Sequence, residues 1–230
     1  MGRPPLHKSG AMTSAERQKR RRRKLAAERR RSAIAGKVTK RDGLERALAE
    51  RQIAFPVRRY GVILADPPWR FEPYSRDTGM DRAADNHYPT LTAAMIAALD
   101  VPAIAAADCA LFLWITTPML PDGLAVLTRW GFCFKSMLTW DKEVAGTGYW
   151  FRNQTEHLLV GTRGNIPAPA PGTQWPSLLR ARRGRHSQKP DPVYTLIESL
   201  FPTLPKLEMF ARKARIGWES WGAEAPMQAR

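Results

Sequence analysis

Cysteine is nearly absent from this chain: Cys109 and Cys133 are the only two among 230 residues. Each lies in an apolar run, so they offer neither a disulfide framework nor a metal-ligand spacing. Both read as buried thiols of a protein in a reducing cytoplasm, and no metal is expected. Long hydrophobic runs are also missing. No stretch approaches the roughly 20 apolar residues a membrane span requires, and no apolar segment follows the basic N-terminus as it would in a secretory signal. There is no internal repeat and no glycine-rich phosphate fingerprint. Acidic residues are scarce at the start. Residues 1–41 hold 15 Lys/Arg against 2 Asp/Glu, whereas residues 42–230 hold 22 against 19. The net charge of +16 is therefore carried mainly by an appended arm. Such an arm suits a polyanion, chiefly nucleic acid. It divides the chain into a flexible or helical basic arm (1–41), a connecting helix or linker (42–59), a body (60–224) and a short tail (225–230).

What is present is a body able to build a core, with 43% hydrophobic residues. Its pattern alternates strand and helix, which predicts an α/β fold with a mostly parallel sheet. Strands are expected at 60–65, 109–115, 132–140, 157–161 and 206–210. Helices are expected at 92–99, at 118–130 with Thr117 as cap, and at 191–201. The pieces 70–90 and 141–155 carry no regular pattern and are long enough to be functional loops. The Pro-rich piece 166–176 reads as a semi-rigid surface loop.

The first strand pattern, Tyr60 to Ala65, runs directly into Asp66-Pro67-Pro68-Trp69. In open α/β sheets, ligands bind beyond the carboxyl ends of strands. A carboxylate, a rigid Pro-Pro backbone and an indole at that place suit the recognition of an amino group on a flat ring. The Asp66 carboxylate and the Pro67 carbonyl can each accept one N–H. The two prolines fix the turn, and Trp69 offers a stacking surface. Acceptors so placed stabilise positive charge developing on the nitrogen. A second basic cluster, Arg180, Arg182, Arg183, Arg185, His186 and Lys189, suits phosphate contacts. Tyr149 and Trp150 lie in a Gly-rich loop. They are equally compatible with stacking on bases and with packing on the body.

Taken together, these segments resemble the adenine-N6 methyltransferases of the Asp-Pro-Pro-Trp type, from about Tyr60 to Glu224. Asp66-Pro67-Pro68-Trp69 is similar to their catalytic motif. His87-Tyr88-Pro89-Thr90-Leu91 is similar to a base-pocket loop, and Leu111-Phe112-Leu113-Trp114 to the next core strand. Tyr149-Trp150-Phe151-Arg152-Asn153 and Glu156-His157-Leu158-Leu159-Val160-Gly161 are similar to the loop and strand near the substrate. Ser187-Gln188-Lys189-Pro190 and Leu207-Glu208-Met209-Phe210-Ala211-Arg212 are similar to the cofactor end.

The resemblance implies a Rossmann-like methyltransferase fold in permuted order, with the catalytic strand first and the cofactor half last. It implies S-adenosylmethionine as donor, with Lys189 on its methionine carboxylate. Glu208 would lie at the end of the cofactor strand, Arg212 in the following loop, and Glu224 by the ribose. Ala223 stands where the family usually has Asn. His87, Tyr88, Asn153, Glu156, Arg182 and Arg183 become the expected substrate contacts. The acceptor expected is adenine N6 in nucleic acid, with DNA preferred. RNA as acceptor, or a silent nucleic-acid-binding partner on the same fold, are the alternatives. Relatives act alone or in pairs, which leaves the oligomeric state open.

Overall fold

In a computed structural model of the chain, the described residues are 14–51, 58–70, 90–148, 150–184 and 188–222. Side chains at 34, 37, 38 and 40–51 lie outside that description. The described residues up to Gly43 form one unit and those from Leu44 onward another. In the first unit, helix α1 begins at Ser14; it ends at Arg51 and passes unbroken through 42–51, where a separate short helix was expected. The Arg20–Lys24 run, part of the arm expected to be flexible or helical, is helical. Arg, Lys, Ala and Glu all have high helix propensity. Every side chain described in the first unit is exposed, and Lys24 reaches Glu28 at 4.0 Å one turn on.

The second unit is built on one seven-stranded sheet in the order β5-β3-β4-β2-β1-β6-β7. The strands are β1 (Tyr60–Ala65), β2 (Ala105–Thr116), β3 (Cys133–Asp141), β4 (Thr155–Arg163), β5 (Leu178–Arg180), β6 (Lys206–Met209) and β7 (Trp218–Trp221). Strand β1 pairs in parallel with both β2 and β6, and β6 in parallel with β7. Only β4 runs against its neighbours β2 and β3. Consequently the carboxyl ends of β1, β2, β3, β5, β6 and β7 share one edge with the start of β4. This is the Rossmann-like, mostly parallel α/β architecture expected. The first strand in the chain, β1, lies inside the sheet between β2 and β6, and the last two strands, β6 and β7, complete the sheet on one side of it.

The period-two alternation of the strands sorts their side chains onto two faces. Ile63, Ala65, Leu111, Leu113 and Ile115 join one core, with Ile96 of helix α2 (Ala93–Ala97) and Val126 and Leu127 of helix α4 (Leu120–Arg129). Val62, Leu64, Ala110, Phe112 and Trp114 join the other, with Val193, Leu196 and Ile197 of helix α5 (Pro192–Leu200). Gly123 of α4 permits close helix–sheet contact, since a Cβ there would come within 2.5 Å of Ile115 Cγ2.

Several local expectations change. Helix α3 (Val101–Ile104), β5 and β7 were not foreseen, being only three or four residues long. Thr117 does not cap the helix beginning near 118. It opens a 3₁₀ turn, Thr117–Met119, which leads into α4 with Met119 at the cap position. Helix α2 is shorter than 92–99, and Thr92 is its cap, accepting from Met95 N–H at 3.2 Å. Cys109 is buried as expected, but Cys133 is exposed. It begins β3, whose outer neighbour β5 pairs only with Thr139, Trp140 and Asp141, so the first half of β3 is left at the sheet edge.

Candidate active site

The Asp66-Pro67-Pro68-Trp69 turn leaves β1 at the carboxyl edge. Asp66 N–H is tied to the Met209 carbonyl at the end of β6 (3.4 Å). Trp69 N–H donates to the Pro67 carbonyl (2.8 Å), closing a three-residue turn centred on Pro68. Proline fits there because its locked φ is near the value such a turn needs and its missing N–H is not called on. Leu91 N–H donates to the Pro68 carbonyl (2.8 Å), and Arg70 N–H to the Leu91 carbonyl (2.8 Å). The acid is thus held by backbone on both sides.

Trp69 is not an open stacking platform. Its side chain belongs to the core, 8% exposed, and Nε1–H donates to the Trp114 carbonyl at 2.8 Å. An indole adjoining a large apolar core gains more from burial than from solvent, provided its N–H is satisfied. The ring therefore anchors the turn to β2.

Around Asp66 the fold gathers residues far apart in the chain. Lys189 Nζ lies 2.7 Å from Asp66 Oδ2 and 3.4 Å from Glu156 Oε2. Lys142 Nζ lies 3.3 Å from Glu156 Oε1. Lys189 also sits 5.5 Å from the centroid of the Trp114 ring, a cation–π contact on a residue read from sequence as core alone. All four charged side chains are largely shielded; Asp66, the most accessible, is 28% exposed.

The chain of charges sorts the proton affinities. Burial pushes the Asp66 carboxyl up, and this outweighs the opposing pull of Lys189. Burial depresses Lys189, but the carboxylates of Asp66 and Glu156 more than restore it and hold the ammonium above the ordinary lysine value. Burial would raise Glu156 as well, yet the ammonium groups of Lys189 and Lys142 win and hold it below the usual carboxylate range. Two carboxylates with similar chemistry thus acquire opposite tendencies.

A second network fixes the end of β6. Tyr194 of α5 donates its hydroxyl to Glu208 Oε1 at 2.6 Å. The Arg215 guanidinium lies 4.4 Å over the Tyr194 ring and is clamped by both oxygens of Glu198 at 2.7 and 3.2 Å. Trp218 packs edge-on to Tyr194 and donates Nε1–H to Glu198. Burial raises the Glu208 carboxyl despite the Tyr194 hydrogen bond, and the negative Asp66 adds to that rise. Arg212, in the loop after β6, acts on Asp66 with the opposite sign.

Of the expected site residues, the fold brings Asp66, Glu156 and Lys189 into direct contact, with Glu208 and Arg212 within electrostatic reach. Pro67 and Pro68 shape the turn. Asn153 contributes backbone: its carbonyl accepts from Gly146 N–H and its N–H donates to Thr147. Arg182 and Arg183 are exposed on the segment after β5. His157 is half-buried and satisfied between the Thr117 and Thr139 hydroxyls at 3.1 Å each, a structural role. His87, Tyr88 and Glu224 lie outside the described residues, as do Tyr149, Arg185, His186, Ser187 and Ala223. Sequence reasoning missed Lys142 and Tyr194. Lys142 carried only the signal of a charge opening an irregular segment. Tyr194 carried that of a hydroxyl on an otherwise apolar helix face. No group of His, Cys, Asp or Glu suited to a metal ion occurs among the described residues. None of their helices is long and apolar enough to cross a membrane.

Comparison with known proteins agrees with this layout. A family profile described as MT-A70 matches residues 60–224, the whole of the sheet and its edge. The chain is 37% identical over 210 residues to a Mycoplasma protein named type II methyltransferase M.MunI, covering 84% of this chain and 90% of that one. It is 31% identical over 173 residues to an Arabidopsis thaliana N(6)-adenosine-methyltransferase MT-A70-like protein, covering 71% of this chain and 23% of that one. It is 31% identical over 162 residues to the human N(6)-adenosine-methyltransferase catalytic subunit METTL3, covering 67% of this chain and 26% of that one. The chain thus spans about a quarter of these longer plant and human relatives. With the acid-bearing Pro-Pro turn on the first strand and the match running through the whole sheet, the chain belongs to the MT-A70 family of methyltransferases.

Proposed function

We propose that this protein transfers a methyl group from S-adenosylmethionine to N6 of adenine in DNA. The observation that carries the reading is the Asp66 carboxylate. It stands at the carboxyl end of β1, an interior strand of the sheet, on a turn stiffened by two prolines, with the Lys189 ammonium 2.7 Å away.

The donor set at this edge fits such a cofactor. Lys189 supplies an ammonium for a carboxylate, Glu208 an acceptor for ribose hydroxyls, and Arg212 a second cation. The Tyr194 hydrogen bond keeps the Glu208 carboxylate from rotating freely. When bound, the cofactor supplies a methyl group on a positively charged sulfur, which departs with the bonding electron pair.

The protein's part is to make a poor nucleophile reactive. The lone pair of adenine N6 is delocalised into the ring until the amine becomes pyramidal. Asp66 accepts one N–H and the Pro67 carbonyl the other, so the two acceptors draw the amine out of the ring plane. They also stabilise the charge that develops as nitrogen bonds to carbon. The backbone ties to Met209 and Leu91 hold these acceptors in place beforehand, so little reorganisation accompanies the step. Asp66, whose proton affinity burial raises, is placed to take the proton the amine sheds. Glu156, held ionised by two ammonium groups, keeps Lys189 from neutralising Asp66 alone.

DNA is the acceptor we favour. The chain spans nine-tenths of a relative named a type II methyltransferase but only about a quarter of those named adenosine methyltransferases. Within a duplex the target base has to leave the stack. Exposed Arg182 and Arg183 and the basic helix α1 supply sequence-independent affinity for phosphates. The test is to incubate purified protein with labelled donor and a mixture of DNA and RNA, then identify the modified nucleoside by mass spectrometry. N6-methyldeoxyadenosine is the expected product. N6-methyladenosine alone would move the acceptor to RNA, and absence of any methylated nucleoside would overturn the reading.

A further inference from the structure

The loop joining β3 to β4, residues 142–154, leaves the same sheet edge as Asp66 and carries two bare aromatic rings. Trp150 is 93% exposed and Phe151 84%. Adjacent aromatics this accessible are costly to keep in water unless something covers them. The loop beneath them is braced. Gly146 N–H donates to the Asn153 carbonyl at 2.9 Å, and Asn153 N–H to the Thr147 carbonyl at 3.1 Å. Arg152 donates to the Gly146 and Ala145 carbonyls. Gln154 Nε2 and Glu143 N–H converge on Asp141 Oδ1. Gly148 admits no side chain, because a Cβ there would collide with the Phe151 carbonyl. The rings are therefore presented from a cross-linked base.

Their surroundings are cationic. The segment after β5 runs beside the loop, with Arg183 N–H on the Lys142 carbonyl and Ala181 N–H on the Asp141 carbonyl. It carries exposed Arg182 and Arg183, next to exposed Arg180 at the end of β5, and Arg152 is exposed on the loop itself. Glu143 is the one exposed acid of the loop. Lys142, at the loop's root, is the far end of the chain of charges reaching Asp66 through Glu156 and Lys189.

We propose that Trp150 and Phe151 form a stacking tip that seats the bases flanking the target adenine, with Arg182 and Arg183 on the adjoining phosphates. The pairing of bare aromatic faces with exposed cations matches an unstacked nucleic-acid strand, whose bases stack on rings while its backbone follows positive charge. This rests on the nucleic-acid reading above and deepens it.

The test is binding without the methyl donor. Full-length protein is titrated into a fluorescent single-stranded 20-mer, and into the same sequence as a duplex. The double variant W150A/F151A should weaken single-strand affinity about tenfold or more, since each stacked base is worth a substantial factor. R182A/R183A should also weaken it and lower the slope of log affinity against log salt by about 1 to 2. Binding of S-adenosylmethionine by calorimetry and molar mass by light scattering should not change in W150A/F151A. Unchanged strand affinity in W150A/F151A overturns the proposal. So does a fall in molar mass with strand affinity per protomer retained, which would make the rings a contact with a second protein copy. A wild-type protein that binds strands through these rings yet methylates neither DNA nor RNA would overturn the assigned reaction and leave the docking tip standing.

Discussion

Lys189 Nζ lies 2.7 Å from Asp66 Oδ2, joining the segment that leads into α5 to the turn after β1 across 123 positions of sequence. The same ammonium reaches Glu156 at 3.4 Å, so one lysine serves two carboxylates of unequal proton affinity.

Replacing Asp66 with Ala should reduce methyl transfer by about 10²-fold or more, the scale for losing one preorganised polar contact to a developing charge. Lys189 retains Glu156, so the fold should persist. Labelled-methyl transfer and a thermal melt on the same preparation check both halves. A wild-type rate in the variant would remove Asp66 from the chemistry.

Lys189→Met should leave two shielded carboxylates without their shared cation. Breaking such a contact destabilises by about 3 kcal/mol, the lower end for buried pairs because the Asp66 side chain keeps 28% exposure. Urea denaturation at neutral pH measures it. The loss should shrink as pH falls and the carboxyls take up protons.

Acidity should act on the rate through Asp66. Its proton affinity is raised, so the accepting carboxylate is lost on acidification at a pH above its ordinary 3.8. Folding stability from Asp66 runs the other way, falling as pH rises through the raised pKa. Glu156, whose pKa is lowered, contributes stability above its unfolded value of 4.5 and loses it as pH falls through the lowered one. Because the negative Glu156 adds to the rise in Asp66, Glu156→Gln should move the acid limb of the rate profile to lower pH. A profile unmoved or shifted upward would contradict the coupling.

Tyr194→Phe deletes the hydroxyl on Glu208 and keeps the ring between Arg215 and Trp218. Cofactor affinity by calorimetry should fall about tenfold or more, the scale of one hydrogen bond to a charged group, with little change in melting temperature. A large drop in stability with affinity intact would make the tyrosine structural only.

Trp69→Phe should destabilise by about 1–3 kcal/mol, because the substitution takes away the N–H that satisfies the Trp114 carbonyl and leaves a gap in the core. The rate should fall as well, since the turn is moored through this indole. Full activity at full stability would show that the turn needs no anchor there.

The strand alternation and the acid-bearing Pro-Pro turn were legible in the sequence because both are local. Period two sorts Val62 from Ile63 and Phe112 from Leu113 without reference to anything distant, and proline restricts its own backbone. The β1 range, Tyr60–Ala65, is the expected one. Short elements were not legible: β5 and β7, three and four residues long, owe their strand form to the neighbours they pair with. Tertiary structure alone decided that Trp69 points into the core, that Cys133 lies at an outer edge of the sheet, and that Lys142 and Tyr194 contact Glu156 and Glu208. Those outcomes depend on which long-range neighbours supply a carbonyl, a carboxylate or open solvent. Partners 123 positions apart in the chain, as Asp66 and Lys189 are, leave no local periodicity to read.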